Sequence, residues 1–363
     1  MMRQHGANVF ELASQYGFPL QDIRDFSSNI SPYGPPKKAM TQLKNNLHLV
    51  TTYPDPSYQA LTQSITEYIG VDARQIVLSS GTTPLLKEAI QLLHPRHALL
   101  LEPCYSEYAY ELKRLGISIS IFPLKAENNF EIDVEALISL LKEQKIDFLV
   151  FANPNNPTGS IVTREAIKKI LIETSTFILV DETYNEFTDP SLYSAIELVH
   201  SFEQLLVVRG VSKFYACPGI RLGYGVTGNY SLLKCLKANS TLWEINIFAD
   251  VMGQSLYSDR GYQMETREKT AEERLYMMER LSRLDGLRVF PSAGNFILCR
   301  LENGYKAEEL REHLLKEALV IRDCSSFEHL TASDFRFCLL SHADNVKLAD
   351  AIESFLLDKA KEV

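Results

Sequence analysis

Between residues 76 and 226 short apolar runs recur along the chain, at 76–79, 98–101, 117–122, 148–151, 177–180, 205–208 and 223–226. Several are separated by amphipathic stretches of helical period, as at 84–93 and 134–143. Short, mostly apolar runs read as strands buried on both faces, and strands alternating with helices imply a mainly parallel sheet covered on both sides. After about residue 231 a helical region runs through Trp243 to Leu284. Strand-like pieces follow at 287–290, 295–301, 319–322 and 335–339, with helical patches between and after them. The first fifty residues hold short helical patches and a cluster of turn formers, Ser31-Pro32-Tyr33-Gly34-Pro35-Pro36. The expected organisation is an α/β chain with a large domain over 51–261, built on a mostly parallel seven-stranded sheet. A smaller α+β domain covers 262–363, and segment 1–50 packs with it. No Gly/Ser-rich linker marks the boundary, so a shared long helix is expected there.

The chain has 363 residues, 45% of them hydrophobic and 23% charged. This excludes a mostly disordered or collagen-like chain and suits two domains of about 100–200 residues each. No run of 18 apolar residues suggests a transmembrane helix. The start, Met1-Met2-Arg3-Gln4-His5-Gly6, lacks the apolar core of a signal peptide. Lys and Arg total 37 against 46 Asp and Glu, a net charge of −9. An acidic chain with no basic block is a poor binder of nucleic acid or anionic membrane, although a local basic pocket remains open to it. The cysteines at 104, 217, 235, 299, 324 and 338 form no CxxC or CxxH pair. That pattern suggests no metal site and no redox motif, but reduced thiols of a cytoplasmic protein.

Four local signals then appear in order. Ser79-Ser80-Gly81-Thr82-Thr83-Pro84 lies where a strand gives way to a helix. It is either a phosphate cradle, with amide N–H groups exposed at a helix N-terminus, or a plain capped turn. Asn153-Pro154-Asn155-Asn156-Pro157-Thr158-Gly159 follows a buried strand. It makes a rigid loop at the sheet edge where ligands of open α/β sheets bind, or simply a well-made turn. Asp181 ends the run at 177–180. It either caps the next helix or partners a cation in the crevice. Lys213 follows another buried strand, with Ser212 before it and Arg221 eight residues on, among small and apolar neighbours. Such flanks argue against a solvated lysine; a desolvated one has a lowered pKa and can form a Schiff base.

Together these groups are what pyridoxal 5′-phosphate requires: a phosphate cradle, a carboxylate for the pyridine nitrogen, and a lysine for the aldehyde. The ordered set resembles the fold-type-I enzymes of the aspartate aminotransferase superfamily, and the resemblance covers nearly the whole chain. It implies that Lys213 is the Schiff-base lysine and that Asp181 pairs with the ring nitrogen. Asn156 and Tyr184 would contact the ring phenolate, and Tyr105 would stack on the ring. Gly81, Thr82, Thr83, Ser212 and Arg221 would hold the phosphate. Tyr53, in Tyr53-Pro54-Asp55, matches the tyrosine that this superfamily lends to a neighbouring subunit, which implies a homodimer.

Within the superfamily two branches compete. His5-Gly6-Ala7-Asn8-Val9, Asp25-Phe26-Ser27-Ser28-Asn29-Ile30-Ser31-Pro32-Tyr33-Gly34, the stretch from Lys213 to Tyr224, and Trp243-Glu244-Ile245-Asn246 resemble the threonine-phosphate decarboxylase family. That resemblance implies substrate contacts from His5, Asn29, Asn156, Arg322 and Arg336, the two arginines holding a phosphate and a carboxylate. It also implies decarboxylation of threonine phosphate or serine phosphate for cobamide synthesis. Tyr184 stands where some decarboxylases carry Phe, and Leu340 where some carry Arg; both point toward the alternative, histidinol-phosphate aminotransferase. A non-catalytic, cofactor-binding sensory protein would need a basic DNA-binding head, and only about 75 residues precede the first strand.

Overall fold

The computed structural model describes residue 6 and residues 8–362. Each of the seven apolar runs between 76 and 226 forms a strand: β1 (Ile76–Ser79), β2 (His97–Glu102), β3 (Ser118–Pro123), β4 (Phe148–Ala152), β5 (Phe177–Asp181), β6 (Leu205–Gly210) and β7 (Gly223–Thr227). They make one sheet in the order β1-β7-β6-β5-β4-β2-β3, in which only β7 runs against its neighbours. The central runs do not alternate between apolar and polar because both faces of this sheet are covered there, whereas the edge strand β3 alternates, Ser118-Ile119-Ser120-Ile121, and is partly exposed. In β4, Leu149 and Phe151 belong to one apolar cluster while Phe148 and Val150 belong to another on the opposite face. Full burial of each such side chain contributes about 1.5–3 kcal/mol.

The helices that bear on the site are α1 (Gln59–Ile69), α2 (Thr82–Leu93), α3 (Ser106–Arg114), α4 (Ile247–Leu256) and α5 (Arg260–Leu281). The apolar faces of α2 and α3, through Leu85, Leu86, Ala89, Tyr108 and Leu112, cover one side of the sheet. Between 231 and 284 the structure departs from one helical region. A helix at Tyr230–Asn239 stops, and Trp243 lies in the connection with φ 60°. Asn246 then caps α4, its side chain accepting from the Ala249 amide at 2.9 Å. An Asn cap after a left-handed residue breaks the helix that the apolar spacing alone would continue.

A second sheet holds β8 (Leu287–Val289), β9 (Phe296–Leu301), β10 (Arg322–Asp323) and β11 (Asp334–Cys338) in the antiparallel order β10-β11-β9-β8. The run at 319–322 is not one strand. Leu319–Val320 pairs in parallel with Arg24–Asp25, and only after Ile321 does Arg322 enter the second sheet, opposite Arg336. The N-terminal segment supplies the first half with its partner: the Phe26 amide bonds the Val320 carbonyl and the Cys338 amide bonds the Phe26 carbonyl, both at 2.8 Å. All six cysteines are free. Among the described residues no helix is long and apolar enough to cross a membrane, and no His, Cys, Asp and Glu cluster could hold a metal ion.

Candidate active site

Sheet register brings the expected groups together. Ala152, the last residue of β4, pairs with Asp181, the last of β5, and Asp181 pairs with Val208 of β6. The chains that leave β4, β5 and β6 therefore emerge side by side along one edge, carrying Asn156, Tyr184 and Lys213.

At that edge β1 turns through Ser80 and Gly81 into α2. Gly81 has φ 126°, and α2 has no side-chain cap. A Cβ at Gly81 would lie 2.6 Å from Nη2 of Arg221, and one at Gly223 would lie 2.6 Å from the Gly81 carbonyl carbon. Both positions need glycine because two backbones and a guanidinium converge there. Arg221 sits in a left-handed conformation, φ 58°, with Nη1 donating to the Pro218 carbonyl at 3.2 Å. Amide groups of an uncapped helix beside a guanidinium suit a phosphate dianion. Thr82 and Thr83 open α2, and Thr83 Oγ1 lies 3.4 Å from the Tyr105 hydroxyl. Ser212 is half-buried just before Lys213.

Asp181 is buried and its side chain takes three hydrogen bonds. Tyr108 Oη donates to Oδ2 at 2.8 Å; the Thr183 hydroxyl and amide donate to Oδ1 at 2.5 and 3.0 Å. Burial raises its pKa, while the Thr183 and Tyr108 bonds pull the other way. Among the described residues it has no ion-pair partner. The next residue, Glu182, is anchored in the opposite sense: Arg209 grips it at 2.7 and 2.9 Å inside the protein. Asp181 thus stands on a fixed backbone with its charge left for a cationic ligand.

Lys213 Nζ donates to the Ser28 carbonyl at 2.5 Å. Burial, with the Arg336 and Arg221 charges adding to it, lowers its pKa to about 8. A far larger share of the amine is therefore unprotonated near neutrality than for an ordinary lysine, and the neutral amine is the form that attacks a carbonyl. Tyr184 is buried, receives the Asn29 amide on its hydroxyl at 3.2 Å, and packs edge-on against Phe296 at 4.9 Å. Burial pushes its pKa up to about 12, so at neutral pH it is a neutral phenol.

On the other side Arg336 is buried. It donates through Nη1 to Asn156 Oδ1 and through Nη2 to the Ser27 carbonyl at 2.8 Å, and lies over the Phe296 ring. Among the described residues its Nε has no hydrogen-bond partner, nor has Asn29 Oδ1. Arg322 faces it across the β10–β11 ladder, with Nη2 donating to Ser326 Oγ at 2.8 Å. Burial and the like charge of Arg336 hold the Arg322 pKa below its ordinary value. Two guanidinium groups thus stand opposite each other on one short ladder.

Tyr53 stands apart from these side chains. It is 71% exposed and stacked on Trp243 with ring centroids 4.0 Å apart. His5 lies outside the described residues. The structure adds Tyr108, Ser27, Ser28 and Phe296, which the motifs did not single out. Tyr108 falls one turn beyond Tyr105 on α3, a spacing that could have paired them. The Ser27 and Ser28 carbonyls carry no signal in the sequence.

This donor set fits pyridoxal 5′-phosphate: a lysine amine of lowered pKa, a buried carboxylate without a cation, and a glycine-built cradle beside Arg221. Comparison with known proteins agrees. The model of the family "Aminotransferase class I and II" matches residues 21–353. A putative threonine-phosphate decarboxylase of Caldanaerobacter subterraneus subsp. tengcongensis is 34% identical, over 99% of this chain and 97% of that protein. The crystal structure of a histidinol-phosphate aminotransferase from Clostridium acetobutylicum superposes with TM-score 0.86 at 34% identity, covering 92% of this chain and 99% of that one. The L-threonine-O-3-phosphate decarboxylase from Porphyromonas gingivalis gives TM-score 0.81 at 27% identity, covering 91% and 98%.

Proposed function

The chain belongs to the class I and II aminotransferase family, and we propose that this pyridoxal 5′-phosphate enzyme decarboxylates an O-phosphorylated β-hydroxy amino acid, L-threonine O-3-phosphate or L-serine O-phosphate. The observation that carries the proposal is the facing of Arg322 and Arg336 beside Lys213. Two cations suit a substrate with two anionic ends, a phosphate and a carboxylate. The similarity to the decarboxylase of Caldanaerobacter subterraneus over nearly the whole of both chains supports it. Kinship with that branch gives the amine phosphate product a place in cobamide assembly.

When bound, the cofactor supplies an electron sink for the bond broken at the substrate Cα. Gly81, Thr82, Thr83, Ser212 and Arg221 would hold its phosphate, Asp181 its ring nitrogen, Asn156 and Tyr184 its phenolate oxygen, and Tyr105 its ring face. Arg336 and Arg322 fix the charged ends of the substrate and so decide which Cα bond is aligned for cleavage. Grip on the remote phosphate supplies most of the positioning energy, so the carboxylate that must leave need not be held more tightly in the ground state than in the transition state. Lys213 Nζ then delivers the proton that replaces the carboxylate at Cα. We also propose a homodimer in which Tyr53 reaches the cofactor phosphate of a second copy. If so, mixing Lys213→Ala with Tyr53→Phe subunits restores part of the activity, and a fully active monomer would contradict it.

The test of the reaction is incubation with phosphothreonine, phosphoserine and histidinol phosphate, with and without 2-oxoglutarate. The proposal expects CO2 and an amine phosphate without any oxoacid. Turnover of histidinol phosphate that requires 2-oxoglutarate, with no CO2 from either phosphoamino acid, would make the chain an aminotransferase and Tyr184 the truer guide.

A further inference from the structure

Away from the Lys213 site, a second cavity of about 380 Å³ opens between the end of α1, the loop at 190–197 and the first turns of α5. Four arginines line it: Arg164, Arg209, Arg260 and Arg267. Two are neutralised where they stand. Arg209 is held by the buried Glu182, and Arg164 pairs with Glu197. The other two are not. Arg260 lies over the Tyr68 ring at 5.3 Å and donates to Gln263 Oε1 at 3.3 Å. Arg267 donates through Nε to the Glu186 carbonyl at 3.2 Å. Among the described residues neither has a carboxylate within ion-pair distance.

Arg260 and Arg267 are seven residues apart on α5, two turns along one face, so both reach the same cavity. Several acids lie near them: Glu197 pairs with Arg164, and Asp259 caps α5 by accepting from the Tyr262 amide at 3.0 Å. Asp189 accepts from the Ser191 hydroxyl and amide, and these bonds, helped by the Arg267 charge, hold its carboxyl below its ordinary value. Glu186 is buried behind the cavity, and burial pushes its carboxyl up to about 7, so it is only partly ionised at neutral pH. Nearby carboxylates offset these charges at a distance, yet among the described residues neither guanidinium is closed off by a direct ion pair, and both remain open to the cavity. The volume also falls within the range of small-molecule sites.

We propose that this cavity is a second anion site that binds a phosphate group, free or as a small phosphomonoester, between Arg260 and Arg267. The site is separate from the proposed substrate contacts and does not depend on which amino acid the enzyme turns over. Arg267 also holds the Glu186 carbonyl, in the loop that leaves Asp181, so an occupant would bear on that loop.

Calorimetric titration of the cofactor-loaded enzyme with inorganic phosphate and with glycerol 3-phosphate tests this. The expectation is a binding event, distinct from any at the Arg322/Arg336 pair, that Arg260→Gln or Arg267→Gln weakens at least tenfold, the scale of a charge-assisted bond, and that the double variant loses. Turnover at saturating substrate should change less than twofold in these variants. The tighter of the two probes identifies the source of the phosphate. Soaking wild-type holoenzyme crystals with tungstate gives a readout independent of any variant's folding, with an anomalous peak expected between the two arginines. Identical isotherms for wild type and double variant, or no peak in the cavity at 10 mM tungstate, on the order of a hundredfold above a 100 μM dissociation constant, would overturn the proposal.

Discussion

Lys213, Asp181 and Asn156 stand just at or beyond the ends of neighbouring strands of one sheet, whereas the groups facing them come from far along the chain. Arg336 meets Asn156 across 180 residues and the Ser27 carbonyl across 309. The first wall is built by sheet register, the second by docking a small sheet and an N-terminal segment against it. Register fixes the generic requirements, a lysine, a carboxylate and a phosphate cradle. Docking brings Arg322 and Arg336, the arginines proposed to hold the substrate. The two walls should therefore fail differently.

Lys213→Ala should break the first wall outright. Turnover is expected to fall more than about 10⁴-fold, beyond the contribution of one acid–base group. Borohydride reduction followed by peptide mapping should no longer place a pyridoxyl group on residue 213; a label on another lysine in the wild type would contradict the assignment. Asp181→Asn removes a charge but keeps the hydrogen-bonding shape. A fall of about 10²–10³-fold is expected, the scale of losing one preorganised electrostatic group, and a smaller effect than that of Lys213→Ala would fit the ranking.

Arg336→Ala should strike the second wall and leave the first. A charge-assisted bond contributes about 1.5–3 kcal/mol, so kcat/KM for the phosphorylated substrate should drop about 10- to 100-fold while the bound-cofactor spectrum stays unchanged. Loss of the spectrum in step with activity would show the two walls to be one. The pH dependence of Lys213 sharpens the contrast further. Burial disfavours its charged form, so the neutral amine dominates above about pH 8 and the protonated one below. Uptake of the cofactor by apoenzyme should slow about tenfold per unit as pH falls below that value. A tenfold rise per unit that continues through pH 9 would mean that Lys213 keeps an ordinary lysine pKa, and a uniform rate from pH 6 to 9 would mean that its deprotonation does not limit uptake. Tyr108→Phe should have the smallest effect, tenfold at most, because Thr183 still gives Asp181 two bonds.

The same contrast explains what the sequence revealed. All seven strands of the large sheet were legible: burial on both faces leaves nearly unbroken apolar runs in the central strands, and the partly exposed edge strand β3 shows as alternating Ile and Ser. The first wall was legible with them, because each of its residues sits within a few positions of a strand end. Arg322 and Arg336 were reached through family resemblance; nothing local says that they share a ladder. The split of 319–322 was hidden because its two halves pair with different partners, one of them some 300 residues upstream. The Ser27 and Ser28 contacts are made by backbone carbonyls, which have no signature in side-chain identity.

The central claim, that a cofactor wall and a phosphate-reading substrate wall are separable, is tested most directly by one ratio. It is kcat/KM for L-threonine O-3-phosphate divided by that for L-threonine, measured in the wild type and in Arg322→Ala/Arg336→Ala. The account predicts a ratio of at least about 10² in the wild type, since unphosphorylated threonine leaves a buried cation unpaired. In the double variant the ratio should approach one, with the bound-cofactor spectrum intact. An equal ratio in both enzymes, or a wild type indifferent to the phosphate, would contradict it.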